Sequence, residues 1–325
     1  MAFFSNQVDP KDIEKYVKLA ESGKLNAAVE LFISKYILTI ADRYAAFVSK
    51  QMARAENYFL PLKDWDDISI SITSYTTGFY KSYTSLFGQF IKDVFTDKVF
   101  KLFGITSPFV RKTVKAETIK QFKELTRGAL SQTNRTVKKT IRALQTNMIK
   151  NLKAIEKLKS VEGITQKEIT KFQKDLEKKL IKKNIDFYNM KDNGQLIKYS
   201  NGRLMPLNAY SKMATRTTIL NVERKAVEIN DKMKKRRMSG YVLRDLRSAD
   251  TERDICKHVL SKKFYGISLL AHDQAAADIF GVMTIEGARG SGAMGPNCRH
   301  SIVSLDETAY GRIDNILYFS ENQVV

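Results

Sequence analysis

Gln195-Leu-Ile-Lys-Tyr-Ser-Asn-Gly-Arg-Leu-Met-Pro-Leu207 is where the pattern of the chain changes. Leu196, Ile197 and Tyr199 precede Ser-Asn-Gly-Arg, and Leu204 and Met205 follow it. Asn201-Gly202 supplies the positive φ that a tight hairpin requires. Pro206 has no amide proton, so the second strand must end there or lie at an edge. Upstream the chain reads as helix; downstream it mixes helix and strand. The fold class expected is therefore α+β: a mainly helical N-terminal body, residues 1–190, and a small C-terminal α+β domain with a β-hairpin, residues 191–325.

The helical body is legible from its stripes. Asp9-Pro10 suits a helix start, Asp as cap and Pro in the first turn, and Ile13, Tyr16, Val17 and Leu19-Ala20 give a stripe that Gly23 interrupts. A second helix runs from Asn26 to about Ala55 through Val29, Ile33, Ile37, Ile40, Tyr44 and Val48. Tyr58 to Asp67, with Pro61 and Trp65, reads as a break. Phe79, Tyr83, Phe87, Phe90 and Val94 then fall at helical spacing. Their first reading is a buried aromatic face; the sharper one is contact with a partner subunit or a lipid surface.

After a turn at Gly104 to Pro108 the charge shifts. Arg111 to Lys159 holds fourteen Lys or Arg against three Glu. Ile141, Leu144, Met148, Ile155 and Leu158 follow a three-four spacing, with Asn151 where another apolar residue would sit, which predicts a long amphipathic helix packed as in a coiled coil. Its outer face carries Lys138, Lys139, Arg142, Lys150, Lys153 and Lys157, candidates for phosphate contact in a sequence-independent nucleic-acid interface. The alternative is a merely solvated face. Gly163 ends the helix, and Thr165-Gln166-Lys167-Glu168 reads as a capping box before a stripe of Ile169, Phe172, Leu176 and Leu180.

Composition sets the wider bounds. Across 325 residues, 43% are hydrophobic, enough for a core, and the net charge is +20. Charge of that size draws polyanions. The N-terminus lacks the charged region and apolar run of a signal peptide, and no window has the run of apolar residues a membrane span needs, so the chain reads as soluble.

Beyond the hairpin, Asn208 is expected to cap a helix that buries Met213, Ile219, Val222, Ala226 and Ile229. It ends in a basic run, Lys232 to Arg237, suited to a helix C-terminus. Tyr241-Val-Leu243 reads as a strand. His272 reads as a surface or hydrogen-bonded histidine. Gly287-Ala-Arg-Gly-Ser-Gly-Ala-Met-Gly295 reads as a mobile loop, since it lacks the Gly-Lys-Ser/Thr of a phosphate loop.

Three stretches together carry a resemblance. Lys198-Tyr-Ser-Asn-Gly-Arg-Leu-Met-Pro-Leu-Asn-Ala-Tyr-Ser-Lys-Met-Ala-Thr-Arg-Thr217 resembles the hairpin-then-helix signature of tailed-phage minor capsid and head-morphogenesis proteins. Asp254-Ile-Cys-Lys-His-Val-Leu-Ser-Lys-Lys-Phe-Tyr-Gly-Ile-Ser268 is similar to their Cys/His segment, and Gly295-Pro-Asn-Cys-Arg-His300 to their terminal box. The interval between Ser268 and Gly295, with Ala275-Ala276-Ala277, is longer than the family pattern. The resemblance implies a virion structural protein rather than an enzyme, acting near the portal vertex or neck. It implies the portal protein, other virion proteins and phage DNA as partners, a homo-oligomer or ring, and residence in the virion after assembly in the host cytoplasm.

All the cysteines and two of the three histidines form two pairs, Cys256 with His258 and Cys298 with His300. On strands, residues two apart face one side, so the pairs offer a Cys2His2 set for zinc. If Arg253 to Leu260 is helical, Cys256 and His258 point apart and the site fails. Two other readings stand: a buried Cys beside a hydrogen-bonded His in each pair, or Cys–His nucleophilic catalysis with Asp254 or Asp306 as the orienting group. The last belongs to a rival function, an enzyme carried in the particle, either a Cys/His hydrolase or a metal-dependent nucleic-acid enzyme. A further rival is a basic nucleic-acid-binding protein.

Overall fold

A computed structural model describes residues 6–56, 62–199, 202–243, 263–264, 267–294 and 300–305. The protein is mainly helical, with a small α+β region in which every described strand lies between Ile197 and Val303. Two compact units are present. The first takes Asn6, Gln7 and the described residues of 34–86 and 123–212; the second takes those of 8–33, 87–122 and 213–325. No described helix is long and apolar enough to cross a membrane.

Helix α1, Pro10–Glu21, starts as its sequence dictates: the Lys11 amide donates to Asp9 Oδ1 at 2.8 Å, and Pro10 fills the first helical position. The single helix expected over 26–55 is instead α2, Leu25–Phe32, a π-helical turn, Ile33–Ile37, and α3, Leu38–Ala55. The wider turn re-phases the apolar stripe, and Ile33, Ile37, Ile40 and Tyr44 are all buried.

Helix α4 runs from Leu62 to Val94, so the expected break at 58–67 is shorter than its composition suggests. Trp65 opens the buried stripe that continues through Ile68 and Ile72. Pro61 and Trp65 suggest a break, but Asp64 lies in the first helical turn, where the dipole favours a carboxylate. Phe79, Tyr83, Phe87, Phe90 and Val94 are buried, so this face of α4 is core and not a surface for a partner or a lipid. In the first unit the Tyr44 ring lies tilted against Phe79, at 4.8 Å between ring centres, and its hydroxyl meets Thr76 Oγ1 at 2.8 Å. Burial pushes the Tyr44 phenol up to about 12. In the second, Phe90 stacks on Phe32 at 4.4 Å, with Tyr16 at 5.9 Å, and Phe87 stacks on Phe122 at 3.6 Å.

Helix α5, Asp97–Leu102, leads to Gly104, whose φ of +74° turns the chain into α6, Pro108–Lys159. Helix α7, Gln166–Lys183, carries the expected capping box: Glu168 N donates to Thr165 Oγ1 at 3.3 Å, and Thr165 N donates to Glu168 Oε2 at 2.9 Å. Asn151 Nδ2 reaches Leu176 O at 3.5 Å and Asn147 Nδ2 reaches Asn184 Oδ1 at 3.2 Å, so α6 and α7 run antiparallel. Helix α8, Ile185–Asn193, follows.

The hairpin forms from β1, Ile197–Lys198, and β2, Leu204–Met205, with Ile197 opposite Met205. The second strand stops before Pro206. Helix α9 is Leu207–Met233. It begins earlier than a cap at Asn208 allows: the Tyr210 amide donates to Pro206 O at 3.1 Å, and Asn208 lies in the first turn with Nδ2 on Asp42 Oδ1 at 3.2 Å. Ile219, Val222 and Ala226 are buried as expected, while Met213 and Ile229 are half-buried.

Strands β3, Met238–Leu243, β4, Lys263–Phe264, β5, Ile267–Ala271, and β6, His300–Val303, form an antiparallel sheet in the order β4-β5-β3-β6. Period-two alternation sends neighbouring residues to opposite faces. Tyr241, Leu270 and Ile302 pack with Val227 of α9; Met238, Leu269 and Ala271 pack with Ala276, Ala277 and Leu305. Gly240 sits opposite Val303, and a Cβ there would come within 2.9 Å of Val303 Cγ2, so β3 and β6 meet closely because the position is glycine.

The alanine-rich interval forms helix α10, Gln274–Phe280, capped by Asp273. The glycine-rich run, expected as a mobile loop, is instead helix α11, Ile285–Gly290, followed by a turn. Thr284 Oγ1 caps it by accepting from Gly287 N at 2.9 Å, and Ala288, Ala293 and Met294 enter the core. Glycine spacing suggested freedom, but the small apolar residues among the glycines are what the sheet buries.

Candidate nucleic-acid interface and a buried polar centre

The six basic positions expected on α6 share one side of that helix. At 100° per residue, Ile141, Leu144 and Met148 define the buried side, and Lys138, Lys139, Arg142, Lys150, Lys153 and Lys157 cluster on the opposite one. Five of the six are exposed and Lys138 is half-buried. Arg135, not singled out in the sequence, joins the stripe at the same phase. From Arg135 to Lys157 it extends about 33 Å at 1.5 Å per residue. Lys138 and Arg142 also open onto a groove of about 590 Å³ between α4 and α6, lined in addition by Asp66, Ser69, Ile70, Thr73 and Ser74.

Helix α7 carries a second basic stripe, not anticipated from the sequence. Lys167, Lys171, Lys174, Lys178 and Lys182 recur at intervals of three or four, are all exposed, and lie opposite the buried Ile169 and Leu180. Their spacing is visible in the sequence, interleaved with the apolar stripe of Ile169, Phe172, Leu176 and Leu180. Residues 135–183 hold fifteen Lys or Arg against five Asp or Glu. Among the described residues none of these cations forms an ion pair within 4 Å, whereas elsewhere cations find partners: Lys191 with Glu56, Lys198 with Asp186, Arg216 with Glu30 and Arg289 with Glu228.

The sequence-predicted metal set is not brought into view. Cys256, His258 and Cys298 lie outside the described residues. His300 is described through its backbone alone, as the first residue of β6 opposite Leu243. Among the described residues no group of three or more His, Cys, Asp or Glu side chains could hold a metal ion.

A polar centre in the second unit was not anticipated. Asp231, at the end of α9, is fully buried and accepts from Ser239 Oγ and Ser304 Oγ, each at 2.6 Å. The basic run after it divides: Lys232, Lys234 and Lys235 are exposed, as suits a helix C-terminus, but the two arginines turn inward. Lys235 takes a left-handed φ of +57°, and Arg236 folds back into the interior, with Nη1 on Leu305 O at 2.8 Å and 3.5 Å from Asp231 Oδ1. Arg237 forks onto Asp273 at 2.9 and 3.0 Å, which holds that carboxyl below the usual carboxylate range. Burial pushes Glu228 up, but Arg289 at 2.7 Å and Lys232 at 3.0 Å outweigh it, so it too lies low.

His272 completes the centre, its Nε2 lying 2.9 Å from Ser239 Oγ. Ser239 has one proton, and it goes to Asp231; the histidine must therefore donate from Nε2. The trio is then no serine nucleophile, because His272 is not the base for a hydroxyl that a fully buried position also closes to substrate. Nδ1 is left as a buried acceptor without a partner among the described residues.

Burial lowers the His272 pKa from its ordinary 6.5, although Asp231, Glu228 and Asp273 pull it up; Lys232 adds to the lowering. The unfolded chain therefore takes up this proton first. Stability from this residue is full above pH 6.5 and falls as pH drops toward the folded value. Denaturant melts between about pH 7 and 5 should show this loss, and His272→Gln should flatten it. A wild-type protein that gains stability on acidification over that window would contradict the assignment.

Comparison with protein families, with characterised proteins and with solved structures finds no match for this chain.

Proposed function

We propose that this protein is a structural component of a tailed-phage particle, a minor capsid or head-morphogenesis protein acting near the portal vertex or neck. The observation that carries the reading is the order of three motifs: the Gly202-Arg203 turn leading to Arg216-Thr217, the Cys256/His258 segment, and the Gly295 to His300 box. The hairpin β1-β2 running directly into α9 is the local structure that the first motif calls for. Portal protein and neighbouring copies are the proposed protein partners, in a ring or other homo-oligomer. Phage DNA is the proposed ligand of the α6 stripe, held through its phosphates without regard to base sequence. The same reading includes a zinc clip of Cys256, His258, Cys298 and His300, to be tested by metal analysis of the purified protein.

The deciding experiment is mass spectrometry of purified particles together with capture by tagged portal protein. The expected result is enrichment in both. A chain produced in infected cells but missing from particles would overturn the proposal.

A further inference from the structure

We infer that the α6–α7 hairpin is a two-sided duplex clamp, able to hold two DNA segments at once. The inference rests on the DNA-contact part of the proposed function and goes beyond it in number and geometry. The bonds Asn151 to Leu176 and Asn147 to Asn184 fix the side on which each helix meets the other. On α7, the five lysines lie opposite Ile169 and Leu180, on the far side of the helix from Leu176 and Asn184, which meet α6. On α6, the stripe from Arg135 to Lys157 is turned well over a quarter-turn from Asn147 and Asn151 at 100° per residue. The two stripes therefore point out of different faces of the pair.

Two packed helices are roughly 20 Å across, from an interaxial distance of about 8–10 Å and helix diameters of about 10–12 Å. A straight duplex laid against one stripe cannot reach the other. The α6 stripe is about as long as one duplex turn of roughly 34–36 Å, so successive cations can follow one run of phosphates. A membrane surface is the poorer fit, because interfacial helices bury an apolar face in lipid, and here Ile141, Leu144, Met148, Ile169 and Leu180 are buried within the protein. Nor are the lysines neutralised internally: none has an ion-pair partner among the described residues, so both stripes keep their charge for an external polyanion. Two charged faces on one chain distinguish a bridge from a simple binding patch.

The test uses the full-length protein with two unrelated duplexes, one on beads and one fluorescent, at physiological salt, beside fluorescence anisotropy with a single duplex. Two variants remove one stripe each. The first changes Arg135, Lys138, Lys139, Arg142, Lys150, Lys153 and Lys157 to Gln, and the second changes Lys167, Lys171, Lys174, Lys178 and Lys182 to Gln. Glutamine keeps the helix propensity close to that of lysine. The wild type is expected to retain the fluorescent duplex on the beads. Each variant should still bind one duplex, with a salt slope smaller by about 0.9 for each lost phosphate contact, yet bridge at least about tenfold less. Wild-type protein that binds one duplex but does not bridge overturns the inference and leaves the DNA-contact reading intact. So does bridging that survives loss of either stripe, since oligomeric copies using a single face would explain it. Failure to bind any duplex overturns both, while presence in particles is read separately.

Discussion

Asp231→Ala is expected to lower the unfolding free energy of the second unit by about 3–5 kcal/mol, the usual cost of removing one partner from a buried ion pair. The carboxylate accepts from two serine hydroxyls and lies 3.5 Å from the Arg236 guanidinium. Arg236 has only 4% of its side chain exposed, so solvent cannot replace the lost charge. The hydroxyls of Ser239 and Ser304 would also lose their acceptor, one from β3 and one just after β6. Asp231→Asn keeps the volume but removes the charge, and should fall between wild type and alanine. Hydrogen exchange resolves the effect, because β3 and β5 amides should exchange faster while those of α3 in the first unit do not. A change under about 1 kcal/mol, typical of an exposed pair, would show that the centre is not held by this carboxylate.

Phe90→Ala is the second large effect, expected at about 3–5 kcal/mol. The ring is fully buried between Phe32 at 4.4 Å and Tyr16 at 5.9 Å, so truncation loses both its transfer energy and its stacking contacts. Phe90 also sits on α4, a rigid helix that cannot readily close the cavity. Phe90→Leu should recover a large part of the loss because it refills most of the volume. Urea melts followed by circular dichroism measure both. An alanine variant as stable as the wild type would mean that the three rings are not the packing centre of α1, α2 and α4.

The helices were the most legible part of the fold because their cause is local. Asp9-Pro10, the Thr165–Glu168 box and the stripe through Ile141, Leu144 and Met148 each act within a turn or two, and each forms as read. The hairpin at Gly202 was legible for the same reason, since a positive φ and Pro206 leave few alternatives. The misreadings came where a residue's meaning depends on distant partners. Trp65 looked like part of a break until Ile68 and Ile72 were seen to continue its buried stripe. The run from Gly287 looked mobile because its glycines are visible in sequence, whereas the sheet that buries Ala288, Ala293 and Met294 is not.

The candidate site divides along the same line. The phase of the α6 lysines follows from helix geometry, and a periodicity count would have found the α7 stripe as well. That the two stripes leave by different faces depends on how α6 and α7 pair, which no single-helix pattern contains. The buried centre is a further step removed: Asp231, Ser239, His272 and Ser304 are separated by up to 73 positions. Sequence by itself determined most of the helices, the hairpin turn and the large net positive charge, because these rest on backbone preference and summed charge. Tertiary structure alone decided which charges are buried and paired and which are left facing out, because desolvation depends on what is packed above a side chain and not on what precedes it in the chain.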